Sequence, residues 1–457
     1  MDGKKKTLAL LIAGLVGSSS AAAEDLIDIY EMAYSSDPAL LAAKARFEST
    51  AEGKRQAFAN FLPQITGTGS ITEGDSTFSI NGMEVSDTDT DNENLRLEVR
   101  QTIYDHGNYK KLDQSRARAE QAQADYDAAL QDFVLRGAER YFAVLTAEDA
   151  LAFAMAEERA VGRQLEQAEQ RYEVGLTAIT DVHESKARYD NARARVIVAE
   201  NNLSDAKEAL QELTNVYVDK LDPVQEELPS EIPEPNDLNA WVDIAVENSP
   251  ALRSARLGVD VAHMGVALSK SEFYPTVGAT LSYNEFTNNQ FILRDDFQNV
   301  IGTTDAVAED VQIQLAVTVP IYTGGRTSSR VRQAVADLEA AQQTYEEQRR
   351  AVIRQARNAF RGTQASILEV EAREQAVISA QSALEATEAG FEVGTRTIVD
   401  VLLSQQQLFQ AQRDYSQARH DYILNRLRLK EAAGTLTRDD IAAINQLLVE
   451  AGSADSE

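Results

Sequence analysis

Side chains that commonly catalyse reactions or ligate metals are sparse in this chain of 457 residues, which has no cysteine and only four histidines, His106, His183, His263 and His420. Without cysteine it can build neither a thiolate metal site nor a disulfide scaffold, and four scattered imidazoles leave little scope for a histidine cluster. There is no G-x-x-x-x-G-K-[ST] loop to cradle phosphates, no H-E-x-x-H helix and no G-x-S-x-G turn. Carboxylates pose the opposite problem: 73 Asp and Glu against 44 Lys and Arg give a formal charge of −29. At that density a carboxylate pair at helical spacing reads as a solvated face, not an acid/base dyad. We therefore expect no catalytic residue, no metal and no cofactor, and hence no enzyme. The acidity also opposes nucleic acid as a partner, since phosphates need a basic stripe to displace their counterions. The distinctive polar residues follow two glycines: Thr180 and Asp181 after Gly175, and Arg396 and Asp400 after Gly394. A glycine there can end one helix in a left-handed cap, and the Thr and Asp can open the next.

These two glycines lie in passages of one pattern, Tyr172-Glu-Val-Gly175-Leu-Thr-Ala-Ile179-Thr-Asp181-Val182 and Phe391-Glu-Val-Gly394-Thr-Arg-Thr-Ile398-Val-Asp400-Val401, 219 residues apart. Earlier segments recur in the same order: Asp37-Pro38-Ala39-Leu40 with Ser249-Pro250-Ala251-Leu252, Phe61-Leu62-Pro63 with Phe273-Tyr274-Pro275, and Ile103-Tyr104 to Gly107 with Ile321-Tyr322 to Gly325. The chain thus reads as two copies of one unit, 24–217 and 237–436, joined by a proline-rich linker at 218–236 and followed by a C-terminal helix and tail at 437–457. Each unit is expected to hold an opening helix (Ile27 to Ala59; Ala240 to Ser271), a strand pair (62–104; 274–322) and a long helical hairpin (107–214; 325–433). The helices before each glycine run for some 65 residues without proline, about 100 Å at 1.5 Å rise per residue, which places the hairpin tips far from the strands. Tyr189, Ala192, Val196, Ala199, Leu203, Ala206, Leu210 and Leu213 follow the spacing of a coiled-coil seam, as do Leu408, Ala411, Tyr415, Ala418 and Tyr422. Periodicity alone leaves the core stripe of an antiparallel bundle equally open.

Residues 1–23 have the form of a signal peptide: Lys4-Lys5-Lys6, an apolar run and Ala21-Ala22-Ala23. No later apolar stretch reaches the roughly 20 residues a spanning helix needs. Any membrane passage must therefore use strands. Val311, Ile313, Leu315, Val317, Val319 and Ile321 alternate with mainly polar residues, and Leu95, Leu97, Val99 and Ile103 alternate with Arg96, Glu98, Arg100 and Thr102. Ile65, Gly67, Gly69 and Ile71, and Val277, Ala279, Leu281 and Tyr283, are weaker partners. About ten residues per strand suits a tilted crossing of a bilayer, with the polar stretches Thr72 to Asn94 and Thr287 to Asp310 as hairpin tips. Four strands cannot close a barrel, and an open edge in hydrocarbon leaves unpaired backbone groups, so several chains must share one.

The segment Ala389-Gly-Phe-Glu-Val-Gly394-Thr-Arg-Thr-Ile-Val-Asp400-Val-Leu, its counterpart from Gly175, the Pro320-Ile-Tyr-Thr-Gly-Gly325 junction and the signal peptide together resemble the TolC family of outer-membrane efflux proteins. The resemblance covers almost the whole mature chain. It implies a mainly α fold with a transmembrane β-barrel: a homotrimer, four strands per chain in a twelve-stranded barrel held by outer-membrane lipid, and a long coiled-coil α-barrel crossing the periplasm of a Gram-negative bacterium. It implies a passive exit duct for drugs, small molecules or polypeptides. The implied partners are a periplasmic adaptor (membrane fusion) protein and an inner-membrane transporter of RND or ABC type. It also implies an iris-like gate where the inner helices coil inward, with a polar network falling on Thr180, Asp181, Phe391 and Arg396. An Asp181–Arg396 contact would be a charge-assisted hydrogen bond, and the Thr180 carbonyl could take another guanidinium N–H. Phe391 stands where the family often has tyrosine, so one hydroxyl link is absent and a looser resting gate is expected. Asp400 matches the first of two aspartates ringing the family's tunnel entrance; the second falls on Leu403, so weaker cation block is expected. The alternative is a soluble periplasmic coiled-coil scaffold or adaptor.

Overall fold

The computed structural model describes residues 23–81, 83–225, 228–229, 231–294 and 300–449; residues 1–22 of the expected signal peptide and the end of the C-terminal tail lie outside them. The elements are α1 (Leu26–Ser36), α2 (Pro38–Ala59), β1 (Gln64–Ile80), β2 (Met83–Asp105), α3 (His106–Glu173) and α4 (Ile179–Thr214), then α5 (Leu238–Asn248), α6 (Pro250–Ser271), β3 (Thr276–Arg294), β4 (Val300–Thr318), α7 (Arg326–Glu392), α8 (Ile398–Ala432) and α9 (Arg438–Asn445). Each opening helix is two pieces where one was expected. Pro38 and Pro250 lack the N–H that a continuous helix needs, and each instead starts a new one. Asp37 accepts from the amides of Ala39 (3.1 Å) and Leu40 (3.3 Å), and Ser249 from that of Leu252 (3.4 Å), so the break is capped both times.

The described residues form two compact units, one within 42–129 and 248–353, the other within 23–41, 130–247 and 354–449. The first contains the four strands, all antiparallel in the order β1-β2-β3-β4. Register aligns the apolar positions of every strand. Ile65 stands opposite Val99, Val99 opposite Leu281 and Leu281 opposite Ile313; the next such row is Gly67, Leu97, Tyr283 and Val311. One face is therefore a continuous apolar belt, and it is uncovered: Ile313 is 80% exposed and Ile65 70%. The other face carries Arg96 and Arg100, both paired to Glu98 at 3.0 and 2.6 Å. The strands run to 17, 23, 19 and 19 residues, well past the expected ten. Much of Thr72 to Asn94 and of Thr287 to Asp310 is ladder, because strand pairing uses backbone groups and continues through polar sequence beyond the apolar belt. A shift between Thr102 and Tyr104 brings Tyr104 opposite Val277. This bulge at Ile103 interrupts the strict alternation expected there, since one added residue reverses the parity of every later position in the strand.

The second unit is helical. Leu26, Ile29 and Ala33 of α1, Phe133, Tyr141 and Phe142 of α3, Leu210 and Leu213 of α4, Ile423 and Leu427 of α8 and Ile441 of α9 are all buried. The expected seam residues Ala192, Val196 and Ala199 of α4, and Leu408, Ala418 and Tyr422 of α8, are buried as well. Between α4 and α5 the chain returns to the start and end of this unit. Leu221 bridges Glu24, Val224 bridges Leu448, and the Asp222 carbonyl accepts the Tyr141 hydroxyl at 2.7 Å. Among the described residues no helix is long and apolar enough to cross a membrane.

Candidate functional site

The candidate residues gather at two helix-to-helix turns of the helical unit. In the first, α3 ends at Glu173, Gly175 adopts φ +78° and α4 starts at Ile179; in the second, α7 ends at Glu392, Gly394 adopts φ +78° and α8 starts at Ile398. A side chain at either glycine would be strained, because the left-handed region brings Cβ against the following carbonyl. Both turns close alike. The amides of Gly175 and Leu176 donate to the carbonyls of Tyr172 (2.9 Å) and Arg171 (2.8 Å), and those of Gly394 and Thr395 to Phe391 (3.1 Å) and Gly390 (2.8 Å). This double pattern satisfies the last carbonyls of each helix.

The two turns then diverge in how they begin the next helix. At the second, Thr397 is the N-cap and forms a full capping box with Asp400: the Asp400 carboxylate accepts from the Thr397 amide and hydroxyl, both at 2.8 Å, and the Asp400 amide donates to the hydroxyl oxygen at 3.3 Å. These bonds hold the Asp400 carboxyl below its ordinary range, with a smaller contribution from the Arg396 charge. At the first turn the N-cap is Ala178, which has no side chain to offer. Asp181 there accepts from the Thr177 hydroxyl, and the Thr180 hydroxyl lies 3.5 Å from its other oxygen.

Arg396 is exposed, and among the described residues its guanidinium makes no hydrogen bond or ion pair; within a single chain it is not joined to Asp181 or Thr180. Its stem folds back over α7, where a Cβ on Gly390 would lie 2.7 Å from the Arg396 Cγ. Gly390 thus clears the path for Arg396, and its carbonyl accepts from the amides of Thr395 and Arg396 and from the Thr395 hydroxyl. Phe391 packs against two apolar clusters, one of Val161, Ile398 and Leu402, the other of Leu384, Val401 and Leu408. Sequence reading did not single out Arg171, whose guanidinium carbon lies 4.7 Å from the centre of the Phe391 ring. The signal was in the internal alignment: the repeat sets Arg171 against Gly390 and Arg396 against Thr177, so each turn owns one arginine at a different place. Leu403 is 45% exposed, and Asp400, three residues before it, is partly accessible.

The outer membrane efflux protein family model matches residues 29–216 and 241–435. The outer membrane protein TolC of Vibrio cholerae is 38% identical over 443 residues, covering 96% of this chain and 98% of that protein. The alkaline protease secretion protein AprF of Pseudomonas aeruginosa is 27% identical over 426 residues, covering 92% and 86%. Among solved structures, the outer membrane protein VceC of Vibrio cholerae superposes with a TM-score of 0.70 at 21% identity, covering 90% of this chain and 96% of that one, a likeness of fold. The exposed apolar belt and these similarities converge: the chain belongs to the outer membrane efflux protein family and serves in the outer membrane, with a periplasmic extension, as a transport duct for efflux and type I secretion.

Proposed function

We propose that three copies of the chain close one twelve-stranded barrel and that the turns at Gly175 and Gly394 form its periplasmic gate. The observation that carries this reading is the sheet itself, in which β1 and β4 are both edges while the belt on one face is apolar and uncovered. Unpaired N–H and C=O groups along an edge cost several kcal/mol each in hydrocarbon, so the edges require a neighbour of the same kind. Twelve strands leave room for a lumen that eight would fill with side chains. At the gate, Arg396 is free to reach Asp181 and the Thr180 carbonyl of the same or an adjacent copy, and Phe391 fixes the end of α7. Links of this kind near water contribute about 1 kcal/mol or less each, which suits a latch released by docking. Asp400, held ionised by its capping box, would give three negative charges around the entrance. Energy comes from outside the chain, through a periplasmic adaptor and an inner-membrane transporter of RND or ABC type; Val174, Leu176 and Val393, exposed at 69%, 78% and 74% on the two turns, are apolar surface available for such docking. The test is planar-bilayer conductance of the purified trimer. Arg396→Glu, which puts like charge beside Asp181, is expected to raise conductance several-fold and to sensitise cells to large antibiotics; unchanged conductance would refute the gate.

A further inference from the structure

We infer that Arg171 is a gating residue, a second cationic link that holds the closed state through the face of the Phe391 ring. The inference rests on reading the two turns as a gate. Arg171 sits in the last turn of α3, in the first helical hairpin, whereas Phe391 sits in the last turn of α7, in the second. Their contact at 4.7 Å joins the two hairpins near their tips. The ring is well placed to be gripped. Its surroundings include Ile398, Leu402 and Val401 of α8 and Val161 of α3, so it stays with α8 while the guanidinium approaches from α3. Glu388 and Glu392 line the same groove of about 600 Å³, an acidic wall that favours a cation at this spot.

Phe391 lacks a hydroxyl, so it can be held by a neighbour only through its apolar surface or its π face. A guanidinium over that face is attracted by the ring quadrupole, which needs no hydroxyl. The missing oxygen is thereby offset in this chain by a different interaction with the same ring. Separating the hairpins moves the cation off the ring and returns both to water, so the attraction belongs to the closed state alone. The repeat supports a specific role: the position of Arg171 is Gly390 in the second half, where an arginine would collide with the Arg396 stem, so each turn places its single arginine where the other has none.

A cation–π contact at a partly exposed site shifts the closed-to-open ratio by about two- to five-fold per chain. If three copies move together the factors multiply, to about tenfold or more. The experiment is single-channel recording of purified trimers of the wild type, Arg171→Ala, Arg171→Lys, Phe391→Leu, the Arg171→Ala/Phe391→Leu double variant and Arg396→Glu. Arg171→Ala and Phe391→Leu are each expected to raise the open fraction by such a factor, and Arg171→Lys by less. The double variant should exceed the larger single by little, and heat-resistant trimer should be unchanged throughout. A purely structural Arg171 would instead lower trimer resistance and give additive effects, which would overturn the inference. If Arg396→Glu opens the channel while Arg171→Ala matches wild type, Arg171 is dismissed and the gate stands. If neither opens it, both readings fall together.

Discussion

Asp181 and Asp400 occupy equivalent positions in the two halves, yet only Asp400 is committed to a capping box. Its duty as a cap fixes one carboxylate oxygen and keeps the group ionised, whereas Asp181 follows an alanine cap and accepts from the Thr177 and Thr180 hydroxyls, the latter at 3.5 Å. His420 of α8 shows a second effect of surroundings. It is 4% exposed, and burial pushes its pKa down to about 4, with the Arg419 charge acting in the same direction. The Thr146 hydroxyl donates to the Phe142 carbonyl at 2.7 Å, so its oxygen accepts from the His420 Nδ1–H at 2.8 Å and the imidazole is held neutral. An unfolded histidine binds its proton near pH 6.5, well above the folded value, so acidification from about 6.5 to about 4 favours unfolding. Asp149, 4.0 Å from the ring and raised by burial, works the other way as it takes up a proton. Thermal melts of the trimer across this range should therefore show His420→Asn, which can keep the Thr146 bond, losing less stability than the wild type as pH falls. Identical slopes would remove His420 from the account.

At the scale of elements, a polar seam joins α8 to α3. Arg428 meets Glu139 (2.8 Å), Ser416 donates to Asp149, and Arg413 lies 3.8 Å from Glu157. Glu157 is the centre of this seam: 1% exposed, it also takes two bonds from Arg195 of α4, at 2.7 and 3.2 Å, so one carboxylate ties three helices. Arg195 can reach water if its partner is lost, but Glu157 cannot. Chemical or thermal melts should accordingly show Arg195→Ala, which leaves Glu157 only the longer Arg413 contact, costing about 1–3 kcal/mol, Glu157→Ala costing less, and the double variant recovering part of the loss. The reverse order would show that the carboxylate is not the buried, dependent member. Much of this level was legible in the sequence. Period-two alternation at Val311 to Val317, proline at 63 and 275, and the glycines at 175 and 394 each state a local rule that tertiary structure keeps. The Ile103 bulge and the polar extension of the strands were less legible, because each depends on how backbone groups are paired; the breaks at Pro38 and Pro250 follow from the missing proline N–H and could have been read. The Arg171–Phe391 contact was hidden for another reason: it joins different hairpins, and no spacing along one helix reveals what faces it.

At the scale of the molecule, the apolar belt decides where the chain can reside, and a soluble scaffold would not leave it uncovered. Ile313 belongs to it, in register with Leu281, Val99 and Ile65. Ile313→Arg on the lipid face should cost about 2–4 kcal/mol per chain at the bilayer midplane and deplete heat-resistant trimer from outer-membrane extracts. Gln314→Arg, one residue along and on the opposite face, should be tolerated; equal loss from both would mean that the belt does not face lipid. The two bare edges of the sheet have a further consequence. A lone subunit cannot enter the bilayer without exposing β1 and β4, so insertion and association are expected to be a single event whose rate rises steeply with subunit concentration. A partial pore then has no stable place in the membrane, and the seal is kept until the conduits arrive whole.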